Sequence, residues 1–237
     1  IKNSFATGKV NGNGYYNGGL IGVNNGNILD SYSKGSVNGN ITAGGLIGLN
    51  EEGEVSLSFS ESDVLAEENV GGLIGKNNEG SVNKSFATGK IEGDKNVGGL
   101  IGNNYVGTIN NNFAIGIVTG KTNIGGLVGW NRDEVKKCYA TGSVSGDEKI
   151  GGLIGYNEAY VVYSYYNKET TGQDDTGKGK PKTTEEMIQQ DTFEPEWDFD
   201  FFWTNVIWTS DYIWTIDENS SYPYLQWQDS NIPTPPQ

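Results

Sequence analysis

Two residue types that build many enzyme and metal sites are nearly missing from this sequence. Among its 237 residues histidine does not occur, and cysteine occurs once, at Cys138. Without histidine the chain cannot form a Ser-His-Asp triad or a His-Glu-x-x-His zinc site. One cysteine can form neither an internal disulfide nor a thiolate-bound zinc or iron–sulfur centre. We therefore expect no cofactor and no catalytic chemistry of these kinds.

Basic side chains are outnumbered. The chain carries 16 Lys and Arg against 30 Asp and Glu, so its net charge is −14. Residues 161–237 contribute −10 of that charge, since they hold 4 basic and 14 acidic side chains. A nucleic-acid partner is not expected, because it requires a basic stripe. The acidity suits an extracellular surface or calcium binding, although no calcium motif supports the second.

Long apolar runs are also missing. None approaches the roughly 20 residues that span a bilayer, so we expect no membrane insertion. The first residues do not read as a secretory signal. The sequence opens at Ile1 in the middle of a repeat unit. We expect a piece of a longer protein, with other domains and any targeting signal outside it.

Glycine, by contrast, is abundant and regularly placed. The chain has 36 glycines, and many belong to the motif Gly-Gly-Leu-Ile-Gly-x-Asn, which occurs six times with starts 26 or 27 residues apart. The copies span residues 18–24, 44–50, 71–77, 98–104, 125–131 and 151–157. A fixed period of this length is typical of stacked units that cannot bury their apolar faces alone.

Further columns divide each repeat into short strands. A β-branched residue follows each motif Asn by four or five positions, and a segment such as Ser-Phe-Ala-Thr-Gly begins three positions later. Short strands separated by Gly and Asn turns predict an all-β fold. We predict a parallel β-helix solenoid of about six coils of 26–27 residues over residues 1–166. The length difference falls in one turn, so the strands should stay in register.

Alternation along Ser-Phe-Ala-Thr-Gly-x-Val predicts which side chains face inward. Ser or Cys, Ala, Gly and Val share one face, and Phe and Thr share the other. We predict that the small set faces inward and the aromatics outward. Cys138 occupies the Ser column, so we expect a small buried residue rather than a reactive thiol. The motif Leu and Ile are both apolar, and alternation leaves open which of them faces inward.

The repeated Asn has a mechanism in such a stack. Equivalent side chains lie roughly 4.8 Å apart, so each amide can donate to one neighbour and accept from the other. Asn also tolerates the left-handed backbone of a sharp corner. We predict a structural ladder, rather than a ligand site, formed by Asn24, Asn50, Asn77, Asn104, Asn131 and Asn157.

The combined pattern of Gly-Gly-Leu-Ile-Gly-x-Asn and Ser-Phe-Ala-Thr-Gly-x-Val-x-Gly resembles the GLUG-motif family. The resemblance covers roughly residues 1–166 and includes all six copies. The family is similar to other secreted bacterial β-helices. It occurs in bacterial surface proteins and in immunoglobulin A1-specific metallopeptidases. The resemblance implies a repeat-built extracellular surface protein, and it does not imply an activity. Because this chain lacks histidine, we do not place a peptidase site in it.

The repeat pattern stops after residue 166. Residues 167–190 are predicted to form a polar loop and a short helix capped by Thr183. We expect residues 191–230 to form an aromatic capping segment and the proline-rich residues 231–237 to form a linker to another domain. A cap is needed because the last coil would otherwise expose unpaired backbone groups and its apolar core.

The tryptophans of the tail allow two interpretations. Five of the six Trp residues lie in residues 161–237. In a cap, Trp203, Trp208 and Trp214 would be buried against the last coil, near Tyr156 and Tyr165. In the alternative, a carbohydrate-binding module, the same tryptophan rings would lie exposed in one plane as a sugar platform.

An enzyme is a third interpretation, because β-helices can degrade polysaccharides with paired carboxylates. Such a site needs two acids at neighbouring positions of adjacent coils. The columns are instead mixed, and Asp94 and Asp147 read as solvated turn residues. We therefore predict a non-catalytic module of a secreted or cell-surface bacterial protein, acting as a stalk or an adhesion surface. Its partners would be glycans or proteins of a host or the environment.

Overall fold

The computed structural model describes residues 1–199, 212–228 and 233–235. These residues form parallel strands in three stacked sheets, two short α-helices, one 3₁₀ turn and one antiparallel strand pair. No helix in this part of the chain is long and apolar enough to cross a membrane. The prediction of a parallel β-helix of about six coils is confirmed.

The widest sheet has fifteen strands and carries the aromatic strand of every coil. We call it the wide sheet. Its strands are Phe5–Asn11, Tyr16–Gly18, Tyr32–Asn38, Thr42–Gly44, Phe59–Gly71, Phe86–Ala87, Ile91–Gly98, Phe113–Ala114, Val118–Thr119, Thr122–Gly125, Tyr139–Ala140, Val144–Ser145, Glu148–Gly151, Tyr165–Asn167 and Lys180–Lys182. In each coil the last stretch of this sheet leads into the Gly-Gly pair.

Two further sheets have six strands each. The glycine sheet is built from the Ile-Gly-x-Asn part of the motif, and its strands are Ile21–Asn24, Ile47–Glu51, Ile74–Asn78, Ile101–Val106, Val128–Asn131 and Ile154–Asn157. The short sheet holds the β-branched column, and its strands are Ile28–Leu29, Glu54–Ser56, Ser81–Asn83, Ile109–Asn110, Val135–Lys136 and Val161–Val162. Each coil thus passes through all three sheets before the next begins.

The coils stay in register although their lengths differ. In the glycine sheet Asn24 pairs with Asn50, and in the short sheet Ile28 pairs with Val55. The offset is therefore 26 residues in the first case and 27 in the second. The extra residue of the longer coil lies in the turn between these two sheets, as predicted.

The coil has two apolar interiors. The main core contains the motif Leu and Ile, the β-branched column of the short sheet and the small residues such as Ala87 and Cys138. A second core contains the Val and Ile residues that precede Gly-Gly, with those of strands such as Ile91–Gly98. The small residues of the aromatic strand therefore face inward, as predicted, while Phe86 points away from them into a different cluster.

Both apolar residues of the motif face the main core. Leu73 and Ile74 are fully buried there, as are their counterparts in the following coils. Leu73 lies in a bend, and Ile74 begins the strand. Their two amides both donate to Leu100 O, at 2.9 and 3.0 Å. Because the chain turns between the two residues, strand alternation does not apply, and this is why the sequence alone left the choice open.

The left-handed corners of the coil lie elsewhere than expected. The six ladder Asn residues belong to strands and do not have positive φ, so the expectation that they supply the corner conformation is wrong. Two other columns of residues have positive φ and supply the corner conformation. The first, with φ of 47 to 55°, contains Asn3, Asp30, Leu57, Lys84, Asn111, Lys137 and Tyr163. The second contains Asn69, Asn96, Asn123 and Lys149. Stacking holds even Leu57 and Tyr163 in this conformation, against their local preference.

Residues 167–182, expected as a polar loop, cover the open end of the last coil. Helix Lys168–Thr171 begins this segment, and strand Lys180–Lys182 pairs with Tyr165–Asn167 to add one more rung to the wide sheet. Lys178 Nζ donates to Ile150 O at 2.9 Å, which satisfies a carbonyl of the last coil. The second helix, Thr184–Met187, has Thr183 as its N-cap, as predicted. A 3₁₀ turn, Gln190–Thr192, follows.

Gly72 tests how closely the coil walls approach each other. A Cβ at this position would lie 2.1 Å from Gly99 O and 2.8 Å from Ala87 Cβ. We expect Gly72→Ala to lower the free energy of unfolding by about 2–4 kcal/mol, because the backbone oxygen of the next coil cannot move aside. The control is Gly14→Ala, where an added Cβ meets nothing within 4 Å. Urea titration that finds the two variants equally stable would contradict the close approach.

Candidate functional surfaces

The six motif Asn side chains form one continuous hydrogen-bonded column. Asn24 Nδ2 donates to Asn50 Oδ1, and the same bond joins each further pair up to Asn131 and Asn157, at 2.7 to 2.9 Å. The second Nδ2 hydrogen satisfies a carbonyl in the following turn, such as Gly80 O at 3.0 Å from Asn77. Both amide functions are used inside the protein. The column closes the corner between the glycine sheet and the short sheet and offers no free group to a ligand.

A second Asn ladder was not found from the sequence. Asn96 Nδ2 donates to Asn69 Oδ1 at 2.9 Å, and Asn123 Nδ2 donates to Asn96 Oδ1 at 2.7 Å. Asn103 also donates to Asn69 Oδ1, at 3.0 Å, from the glycine sheet. The signal was present, because each of these three ladder residues directly precedes the apolar residue before Gly-Gly. This column is harder to recognise than the motif Asn, because Tyr16, Thr42 and Lys149 occupy it in the other coils.

A third column satisfies backbone amides. Ser31 N donates to Ser58 Oγ and Ser58 N donates to Ser85 Oγ, both at 3.2 Å. Cys138 belongs to this column, and Asn112 N lies 3.4 Å from its Sγ. Cys138 is completely buried, and burial raises the pKa of its thiol to about 12. The prediction of a small buried residue is confirmed.

The aromatic side chains form a stacked column on the outside of the wide sheet. Ring centroids of neighbouring coils are 4.8 to 5.2 Å apart, and the planes are within 10° of parallel. The column consists of Phe5, Tyr32, Phe59, Phe86, Phe113 and Tyr139. Phe86, Phe113 and Tyr139 point outward as predicted, yet they are buried because the tail covers them.

The tail runs back along this column, and its tryptophans donate hydrogen bonds to several coils. Trp197 Nε1 donates to Tyr163 O at 2.9 Å, and Trp227 Nε1 donates to Lys84 O at 3.1 Å. Between them, Trp214 Nε1 donates to Asn111 Oδ1 at 3.2 Å. The acceptors all belong to the first left-handed column, whose member Lys137 pairs with Asp198 at 3.4 Å. The tail therefore covers the side of the β-helix, and residues 167–182 cover its end.

The predicted tryptophan surface is only partly within the described residues. Trp203 and Trp208 lie outside them. Trp214 is completely buried, with its ring centroid 4.5 Å from that of Trp197 and 6.0 Å from that of Tyr139. Trp214 shares its apolar cluster with Tyr165, one of the two expected neighbours, but not with Tyr156, which is exposed. A buried ring cannot stack on a sugar, so Trp214 does not contribute to an exposed platform.

Carboxylates do not gather into a site within the described part of the chain. No group of three or more His, Cys, Asp or Glu that could hold a metal ion occurs among these residues. Asp94 Oδ2 lies 2.9 Å from Lys121 Nζ, and this contact raises the pKa of the exposed lysine. Both line an open depression of about 380 Å³ with Glu67 and Glu92. The acids that line the depression are all exposed.

These features define a β-helix repeat module. The residues that recur in every coil, such as the ladder Asn, hold neighbouring coils together. The family model described as "The GLUG motif" matches residues 120–145, so the GLUG resemblance is confirmed. In the sheets, the strands of this segment pair in register with those of the neighbouring coils. The other coils are therefore copies of the same unit.

Two further comparisons place the chain. Forty of its residues are 52% identical to a protein of Evansella cellulosilytica named "Putative Gly-rich membrane protein", which covers 16% of this chain and 5% of that protein. The fold is similar to a solved structure from Bacteroides ovatus titled a "putative immunoglobulin A1 protease". That likeness has a TM-score of 0.57 and 19% identity over 95% of this chain and 76% of the other. It shows the fold alone.

Substitution of a ladder residue should show that the Asn column stabilises the stack. Asn77→Ala leaves Asn50 Nδ2 without its acceptor and Asn104 Oδ1 without its donor, so we expect a loss of about 2–4 kcal/mol. Asn24→Ala, at the end of the ladder, should cost about half as much. The exposed Asn25→Ala serves as the control and should stay within about 0.5 kcal/mol of the parent protein. Equal stability of all three variants in urea titrations would refute the ladder's contribution.

The burial of Cys138 predicts its reactivity. Because its thiol has a pKa raised to about 12, it stays protonated and inaccessible at pH 8. A thiol-specific colorimetric reagent should therefore label the folded protein extremely slowly and label one equivalent after unfolding in guanidinium. Rapid labelling of the folded protein would show that the column opens. A variant with an added surface cysteine, Asn25→Cys, controls for reagent activity.

Proposed function

We propose that the chain is a non-catalytic structural module of a secreted or cell-surface bacterial protein, which holds neighbouring domains or an adhesion surface away from the cell. The observation that carries this proposal is the unbroken Asn column through all six coils. Together with three in-register sheets, it connects every coil to its neighbours in one rod. Six strands spaced about 4.8 Å apart give a rod of roughly 25–30 Å.

The placement of polar groups supports a structural role. The buried Asn and Ser columns form their hydrogen bonds inside the β-helix, as Asn77 does with Asn104 of the next coil and with Gly80 of its own coil. The buried thiol of Cys138 has a pKa raised to about 12, which is the opposite of what a nucleophile needs. Neither group is therefore prepared for catalysis.

The surface location and the partners are part of the same proposal. The similar Evansella cellulosilytica protein is named a membrane protein, and this chain itself matches the GLUG motif. We infer a location outside the cytoplasm on these names and on the acidic composition. Partners would be host or environmental glycans or proteins, together with other domains of the same longer chain.

The proposal separates into location and reach, and both are measurable. Intact cells that produce the natural protein are treated with a membrane-impermeant amine reagent, and its tryptic peptides are analysed by mass spectrometry. We expect lysines of the repeats to be labelled, while a cytosolic protein of the same cells stays unlabelled. Absence of labelling in intact cells, with labelling after lysis, would contradict surface display.

Reach is tested by changing the number of coils. Deleting residues 45–98 removes two coils and joins Gly44 to Gly99, so the register of the remaining strands is kept. This shortens the rod by about 10 Å. For a stalk we expect reduced adhesion, restored when two copies of another coil are inserted. If adhesion is unchanged by the deletion, the module does not act as a spacer.

A further inference from the structure

A row of aromatic and cationic side chains lies at the surface beside the Asn column. Lys76, Trp130 and Tyr156 precede ladder Asn residues in register on the glycine sheet, with Asn103 between the first two. Other members follow a ladder Asn or come from the wide sheet. We call this set the aromatic–cation strip; it consists of Lys76, Tyr105, Trp130, Arg132, Lys149 and Tyr156.

The rings hold the cations in fixed places. Lys149 Nζ lies 4.2 Å from the centroid of the Tyr156 ring. Arg132 Cζ lies 4.7 Å from the Tyr105 ring and 5.7 Å from the Trp130 ring. These distances are within the range of cation–π attraction, which reduces the freedom of the long side chains. The rings remain accessible, since Tyr105 is 40% and Tyr156 is 36% exposed. The strip thus presents ordered positive charge beside open aromatic surface.

Buried polar atoms without partners occur in the strip and in the Asn residues beside it. These are Trp130 Nε1, Asn103 Oδ1 and Asn123 Oδ1. Asn103 and Asn123 are only 6% and 7% exposed, and each already uses its Nδ2 in the second ladder. An unpaired buried polar atom costs about 1–3 kcal/mol, so native proteins usually supply a partner. All three atoms lie beneath the surface, so the groups that the strip offers to a ligand are its exposed rings and its cations.

The charge of the strip is opposite to that of the protein. Three cations gather here in a chain of net charge −14. Arg132 Nε pairs with Glu158 at 3.1 Å. The ion pairs formed between described residues include neither Lys76 nor Lys149. An anionic ligand would therefore find two lysines without a carboxylate partner in the described structure, on a surface that elsewhere repels it.

We propose that the aromatic–cation strip binds an acidic polysaccharide. Lys149, Arg132 and Lys76 pair with its carboxylates, and the exposed parts of Tyr105 and Tyr156 lie against the C–H faces of its sugar rings. Successive coils place these groups about 4.8 Å apart, on the scale of one sugar unit. The strip lies on a different surface from the tail tryptophans, and this proposal does not depend on the module being a stalk.

Calorimetric titration of the intact chain with oligomers of polygalacturonate tests the proposal. We expect binding that weakens with added salt, and no binding of a neutral β-glucan such as hydroxyethylcellulose. Lys149→Ala and Tyr156→Ala should each weaken binding at least tenfold. Two matched controls, Lys9→Ala in the first coil and the 82% exposed Tyr160→Ala, should stay within twofold. Melting curves establish that each variant is folded, and Lys149→Arg should restore most of the affinity lost in Lys149→Ala.

Several outcomes would overturn the assignment. Absence of polygalacturonate binding by the parent chain would remove it, and so would equal losses in the strip variants and their controls. Equal affinity for the neutral glucan would show that the cations of the strip do not contribute to binding. None of these outcomes affects the structural proposal, which is tested by surface labelling and by coil number.

Discussion

Register between coils is the constraint on which the rest of this structure depends. Parallel pairing places each side chain directly over its counterpart one coil away, so that Asn77 lies between Asn50 and Asn104. Any property of a repeated position is therefore multiplied along the axis. A single amide becomes a ladder, a single ring becomes a stacked column, and a single glycine becomes a line of close contacts. One misplaced residue would shift every side chain after it, which is why the length variation is confined to one turn.

The repeated positions could be predicted from the sequence, and the unrepeated contacts could not. The Asn column, the small inward residues and the coil length all follow from period and alternation. The left-handed corners do not, because stacking imposes the same conformation on Asn111, Leu57 and Tyr163 alike. The path of the tail was also beyond sequence reasoning. It depends on single contacts such as Trp214 with Asn111, which have no counterpart in another repeat.

The tail covers an apolar surface that the repeats create. Outward aromatic rings are a regular consequence of strand alternation, and a stack of them would be a large apolar surface in water. The tail crosses this surface and anchors itself through indole N–H groups on the left-handed corners. Its cover reaches Phe59, where Trp227 packs at 6.3 Å. Phe5, in the first coil, is 61% exposed. In the later coils the stacked rings are therefore covered by the tail, and the tail in turn packs on the rings.

The difference between invariant and variable positions of the repeat also indicates where the protein can recognise a ligand. The motif Asn, Gly and Leu are identical in all six coils because each is fixed by its neighbours above and below. The residue before the ladder Asn varies instead, and it is Val23, Leu49, Lys76, Asn103, Trp130 and Tyr156 in turn. Its burial varies as well, since Val23 and Tyr156 are exposed while Leu49 and Asn103 are buried. This position therefore accepts apolar, cationic and aromatic residues without loss of register. The regular interior therefore carries the fold, and the variable column beside it gives each coil its own surface chemistry.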